Sequence, residues 1–314
     1  ENSLGRLWLG SHPESRLREK MPYYLESADL PHSEGGPPRP SDTPPNSSQP
    51  TASIVMSHLT ERSRGGKVLV PQELTVLDPA CGSGHILVYA FDLLVEIYKE
   101  AGYQEREIPG LILEHNLFGL DIDERAVQLS SFALLMKARQ YNRRVLREPP
   151  APNVTHVAHT RGLSVPATPQ LKPKDWEALL LAFKDADSLG SLITPPDYNA
   201  EELHRQLMAL EGSGTIFAGQ AGELRQVLRQ GELLTKQYKV VVANPPYMGG
   251  KGFNKTLKDF VTKEYPNSKS DLFAVFMEAA LALTEGYGRM AMINQHAWMF
   301  LSSYEELREQ LVSN

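Results

Sequence analysis

From Pro71 onward, apolar positions fall into two alternating textures. One is a short β-prone run that stops on a polar residue: 75–77 before Asp78, 117–120 before Asp121, and 239–243 before Asn244. Residues 154–158 and 289–293 read as two further strands. The other texture is a longer stretch with apolar residues three and four apart. Residues 85–101 carry Ile86, Ala90, Leu93, Leu94 and Ile97 at that spacing, and 124–144 carry Ala126, Leu129, Ala133, Leu134 and Met136. Both are predicted helices, as are 176–184, 201–210, 220–237, 271–284 and 304–312. Alternation of this kind makes βαβ units and so a parallel sheet with helices on both faces, an α/β fold. In such a sheet the ligand lies beyond the C-terminal ends of the strands, which is where Asp78, Asp121 and Asn244 fall.

Residues 1–70 lack this periodicity. Seven prolines lie between Pro31 and Pro50; each removes a backbone donor and resists helix, so the stretch reads as a flexible insertion or linker. The expected organisation is an N-terminal helical and linker segment over 1–70, then a catalytic domain over 71–314 with a helical insertion around 160–237.

Composition narrows the picture. Of 314 residues, 41% are hydrophobic and 22% charged, enough for a sizeable core and against global disorder. No run approaches the roughly 18 apolar residues of a membrane span, so no membrane partner is expected. The single Cys81 excludes an intramolecular disulfide and a Cys-based zinc site, and fits a reducing cytoplasm. The net charge of −6 is not that of a protein that coats nucleic acid, so any such contact comes from local patches. Two patches qualify: Arg139, Arg143, Arg144 and Arg147 near the end of the second helix, and Lys251, Lys255, Lys258, Lys263 and Lys269 with Phe253 among them. The arginines suit a helix C-terminus; the lysines suit phosphate contacts or a solvated helix face equally. No metal site is expected: no H-E-x-x-H or Cys-rich set occurs, and His156 and His159 read as solvated.

Two constellations carry chemistry. In Asp78-Pro79-Ala80-Cys81-Gly82-Ser83-Gly84, two glycines let the backbone turn tightly against a ligand at a helix start. A nicotinamide fingerprint fails, because its third glycine position is Leu87 and Asp121 comes 37 positions after Gly84 rather than about 20. Asp78 would repel a pyrophosphate and attract a cation. S-adenosylmethionine, with an amino group, a sulfonium and no phosphate, suits it: Asp78 on the amino group, Gly82 and Gly84 along the methionine and ribose, Asp121 on the ribose hydroxyls. Asp123 is either the fallback for the ribose or the cap of the helix at Glu124. In Asn244-Pro245-Pro246-Tyr247, two prolines fix the backbone after a buried strand. The Asn244 side-chain oxygen and the Pro245 carbonyl are two close acceptors for an –NH₂ on a planar group, and Tyr247 offers a stacking face.

Together these strings resemble the paired motifs of S-adenosylmethionine-dependent amino-methyltransferases that act on adenine in DNA, in the gamma order. Residues 117–126 and the string Ser268-Lys269-Ser270-Asp271-Leu272-Phe273 resemble the PglX-like adenine-specific methyltransferases of BREX phage-defence systems, relatives of type II restriction-modification enzymes. The opening Asn2-Ser3-Leu4-Gly5-Arg6-Leu7-Trp8 is similar to a segment that follows their N-terminal cofactor motif. The resemblance implies a Rossmann-like methyltransferase sheet, usually of seven strands, incomplete at the C-terminus of this chain. It implies cofactor contacts from Asp78, Pro79, Ala80, Gly82, Gly84, Asp121 and Asp123, and a catalytic clamp from Asn244, Pro245, Pro246 and Tyr247. The implied activity is site-specific methylation of the 6-amino group of a flipped adenine in double-stranded DNA, alongside other BREX or restriction-modification subunits. The residue that reads the cofactor adenine is open, with Asp185 and Asp187 near a plausible position. A protein-glutamine or RNA amino-methyltransferase, or a non-catalytic cofactor-binding subunit, is the alternative. As an apparent fragment, the chain is expected to bind DNA weakly and to methylate poorly or not at all in isolation.

Overall fold

The computed structural model describes residues 1–25, 53–56, 69–214 and 216–313. The proline-rich stretch falls outside them. Among the described residues six strands form one sheet: β1 Ser53–Met56, β2 Val76–Asp78, β3 Leu117–Asp121, β4 Asn153–His156, β5 Tyr238–Ala243 and β6 Thr284–Asn294, in the order β1-β6-β5-β2-β3-β4. The five strands from β6 to β4 run parallel, and all five coincide with the runs read from the sequence. The sixth, β1, pairs antiparallel along the outer edge of β6, Ser53 opposite Asn294.

The helices are α1 Leu4–Ser11, α2 His85–Glu100, α3 Ile108–Leu111, α4 Glu124–Tyr141, α5 Pro173–Ala182, α6 Ala186–Leu189, α7 Ala200–Glu211, α8 Ala221–Thr235, α9 Lys255–Glu264, α10 Leu272–Leu283 and α11 Glu305–Ser313. Strand side chains alternate between faces, and the two faces build two cores. Val76, Leu117 and Val240 pack with Leu4 and Trp8 of α1, Leu87, Phe91 and Leu94 of α2, and Leu134 of α4. Leu77, Phe118, Leu120 and Val241 pack with Trp176 of α5, Leu203 and Leu207 of α7, Leu228 of α8 and Phe273 of α10. Burial on both faces explains why β2 and β5 read as unbroken apolar runs. α1 carries no long periodic pattern, but Leu4 and Trp8, one turn apart, are buried, and the Trp8 indole donates to Glu100 at 2.9 Å.

The connectivity places the crevice. From β2 the chain moves outward through β3 to β4, then returns to add β5 and β6 on the other side of β2. The order therefore reverses between β2 and β5, and a parallel sheet opens a cleft at the C-terminal ends of the two strands that flank such a reversal.

Candidate functional site

Leu77 pairs with Val241 across the switch point. Asp78 ends β2 one residue beyond that rung, and Asn244 follows β5 three residues beyond it. The two constellations, far apart in sequence, thus leave neighbouring strands at the same sheet edge.

Asp78 is buried, and its carboxylate accepts from the Ala80 N–H at 3.1 Å. Burial pushes its carboxyl up to about 7, with the charge of Asp121 adding to the effect. A buried carboxylate of this kind is stabilised most by a cation brought beside it. Beyond it the chain turns through Gly82 and Gly84, at φ +50° and +81°, a region that L side chains disfavour. A Cβ at Gly82 would point into open space, whereas one at Gly84 would lie 2.4 Å from the Ser130 oxygen of α4. Gly82 thus leaves a bare backbone cradle, and Gly84 lets α2 pack against α4. Burial, with the charges of Asp78 and Asp121, pushes the Cys81 thiol up to about 12, so it supplies no thiolate nucleophile at neutral pH.

Asp121 clamps this turn from β3. Its carboxylate accepts from the Gly82 N–H at 2.8 Å and from the Asp123 N–H at 2.9 Å. Asp123 is the cap of α4, accepting from the Arg125 N–H at 2.9 Å. Pro79 and Ala80 lie inside the same turn, and the Ser191 hydroxyl donates to the Pro79 carbonyl at 2.5 Å. Sequence reading missed Ser191, because it lies 112 residues away in a short 3-10 turn that directly follows α6. Asp185 and Asp187 both accept from the Arg161 guanidinium, which holds the Asp187 carboxyl below the usual range. The His156 ring lies 3.1 Å from the Ile122 carbonyl.

On the other strand, Pro245 is buried while Asn244, Pro246 and Tyr247 are exposed. The Tyr247 hydroxyl lies 2.8 Å from the Ile293 carbonyl at the end of β6 and 3.3 Å from Asn244 Oδ1. A hydroxyl has one proton, so the shorter bond takes it and Asn244 Oδ1 keeps its acceptor capacity. Behind Tyr247 stands Phe273, edge-on, with ring centroids 6.4 Å apart. Phe273 and the Ile293 carbonyl were also missed; the apolar pattern marks Phe273 as core and gives no sign of what the core supports. The loop is tied down at Leu272 N–H to the Met248 carbonyl and Gly250 N–H to the Ser270 carbonyl, each 2.9 Å. Asp271 caps α10. Arg143, Arg144 and Arg147 follow α4 toward the opposite, N-terminal edge of the sheet. Among the described residues no group of three or more His, Cys, Asp or Glu gathers as a metal-ligating set, and no helix is long and apolar enough to cross a membrane.

Comparison with known proteins places the chain in a family. The model of the Eco57I restriction-modification methylase family matches residues 115–314, and that of the MmeI DNA-methyltransferase domain matches residues 70–159. The chain belongs to the Eco57I restriction-modification methylase family. Among similar curated proteins, the adenine-specific methyltransferase BrxX of Escherichia coli O9:H4 (strain HS) is 39% identical over 345 residues, covering 100% of this chain and 27% of the relative. The adenine-specific methyltransferase PglX of Lacticaseibacillus casei (strain Zhang) is 43% identical over 263 residues, covering 77% of this chain and 21% of the relative. The chain thus spans about a quarter of the length of these relatives. Among solved structures, the Type IIL restriction-modification enzyme MmeI in complex with DNA aligns with a TM-score of 0.40 and 20% identity, over 77% of this chain and 27% of MmeI.

Proposed function

We propose that the chain is the catalytic part of an adenine-specific DNA methyltransferase, acting in phage defence or restriction-modification, with S-adenosylmethionine as methyl donor. One observation carries the reading: the buried acidic turn and the Asn244–Tyr247 loop leave adjacent strands at the point where the sheet order reverses. A cation-seeking cradle beside a pair of rigid acceptors is what transfer of a methyl group to an amine requires.

The residues present fit the cofactor. Asp78 is a buried carboxylate with no cation beside it among the described residues, and the bare backbone at Gly82 leaves the space that a ligand needs. Asp78 would hold the amino group, Pro79 to Gly84 would line the methionine and ribose portions, and Asp121, already fixed by two backbone N–H groups, would accept from the ribose. When bound, S-adenosylmethionine supplies an electrophilic methyl on a sulfonium.

The chain's own contribution is to the acceptor. An adenine must leave the duplex stack to be reached. Tyr247 supplies the face on which it stacks, and the ring is braced by Phe273 behind and Ile293 at its hydroxyl. Asn244 Oδ1 and the Pro245 carbonyl accept from the two protons of the 6-amino group. That withdraws the nitrogen lone pair from the ring and stabilises the positive charge that builds on nitrogen as it bonds to carbon. Neither group is basic enough to keep a proton, so the excess proton passes to solvent. Catalysis is positioning and electrostatics, with no covalent enzyme intermediate.

The test offers labelled S-adenosylmethionine to DNA, RNA and protein pools separately. Label in DNA alone supports the reading; label in a protein glutamine or in RNA contradicts it, because those substrates also present an –NH₂ on a planar group.

A further inference from the structure

The lysine-rich segment after Tyr247 is not used by this mechanism. Five lysines stand against two acids, Asp259 and Glu264, between Lys251 and Lys269, in a chain of net charge −6. Lys263 is paired with Glu264 at 2.6 Å. Lys251, Lys255, Lys258 and Lys269 are exposed, and none is ion-paired among the described residues. Two of them also sit against local electrostatics. Lys255 and Lys258 fall in the first turn of α9, which holds no acid and where a cation opposes the helix dipole.

The fold gathers these four around the crevice. Gly249 bridges Asp271, and Gly250 is hydrogen-bonded to Ser270. Lys251 and Lys269 therefore leave two backbone segments that are bonded to each other and that lead directly into Tyr247 and Phe273. Lys255 and Lys258, three apart, share one face of α9. The start of α9 is tied to the other flank: Asn254 donates to Ser188 at 3.1 Å, and the Ser191 hydroxyl donates to the Pro79 carbonyl. The four lysines thus stand on exposed backbone positions that run from the Tyr247 loop to the start of α9, which is tied toward the glycine turn.

We propose that Lys251, Lys255, Lys258 and Lys269 form a phosphate track that grips the backbone of the DNA strand carrying the target base, on either side of the extruded nucleotide. The proposal rests on the DNA reading above. Point charges on flexible stems suit phosphates rather than base edges, so the track supplies grip and register without sequence preference, and its contribution is salt-dependent. The arginines beyond α4, at the opposite sheet edge, take no part.

The test measures binding of a fluorescent duplex by the full chain between about 50 and 200 mM salt, where each phosphate contact contributes about 0.9 to the log–log slope. Lys→Gln replacement at all four positions is expected to flatten that slope by roughly 3–4 and each single replacement by about 0.9, with S-adenosylmethionine affinity unchanged as the check on folding. Arg143→Gln with Arg144→Gln is expected to leave the slope as it is. Should the fourfold variant lose cofactor affinity, the single replacements on the exposed face of α9 decide the matter. A wild-type slope in lysine variants that still bind cofactor overturns the track alone. A wild-type chain that binds cofactor but no duplex overturns the track and the DNA reading together.

Discussion

At Asp78 a carboxylate is enclosed where, among the described residues, the Ala80 N–H is the one hydrogen-bond donor. Burial raises its pKa to about 7 from an ordinary 3.8. The folded chain therefore holds this proton more tightly than the unfolded one. Stability from this group is complete below pH 3.8, falls as pH rises, and is lost above about 7. The loss is about 4 kcal/mol, from 1.36 kcal/mol per unit. Asp78→Asn keeps the acceptor for Ala80 and removes the titration. Melting curves without cofactor should show the variant more stable than wild type at pH 8 and equal to it below pH 4. Calorimetry should show it binding S-adenosylmethionine more weakly, because the ligand ammonium loses its partner. Equal pH profiles would contradict the burial account. At Asn244 the expectation is a rate effect: Asn244→Ala should spare cofactor binding and slow transfer by about a hundred- to a thousand-fold, the usual loss for one well-placed hydrogen-bonding group. Tyr247→Ala should weaken capture of a fluorescent 2-aminopurine target by about 1–3 kcal/mol of stacking. Tyr247→Phe keeps the ring and should lose much less; equal losses would mean that the hydroxyl bond to Ile293, and not the face, carries the effect.

Elements position these residues, and the two glycines of the turn separate two kinds of cost. Both adopt left-handed φ, so any side chain there costs roughly 1–2 kcal/mol. Gly82 faces open space, whereas a Cβ at Gly84 meets the oxygen, Cβ and Cα of Ser130 within 3.1 Å. Thermal unfolding should therefore find Gly84→Ala clearly less stable than Gly82→Ala, since α4 must move to admit the methyl. The reverse ranking would mean that α2 and α4 do not meet at this point. The same elements show what a linear pattern reveals. β2, β3 and β5 were legible because they are buried on both faces and end on Asp78, Asp121 and Asn244. β1 was not: four residues after a proline-rich stretch gain their place only by pairing with β6. α9 was legible only as one alternative, a solvated helix face, because only Leu257 and Val261 are buried along its ten residues and its lysines dominate the pattern. Spacing alone leaves Asp123 between a ribose contact and the helix cap; the fold adds the cap bond from the Arg125 N–H.

Over the whole molecule, the reversal of strand order between β2 and β5 is what brings 78–84 and 244–247 into one cleft. That reversal cannot be read from spacing, since 159 residues and a set of helices intervene. The motifs themselves were legible; their supports, Ser191 under Pro79, Phe273 behind Tyr247 and the Ile293 carbonyl, depend on packing between distant segments. The central claim is that both motifs serve one transfer to an adenine amine. The most direct measurement incubates the full chain with duplex DNA and methyl-labelled S-adenosylmethionine, digests the DNA to nucleosides and identifies the labelled product by mass spectrometry, for wild type and Asn244→Ala. The account expects label, at the low level foreseen for this chain in isolation, on the 6-amino nitrogen of adenine in the wild type, and its near-complete loss in the variant. Label on cytosine, or adenine labelling undiminished in Asn244→Ala, would contradict it.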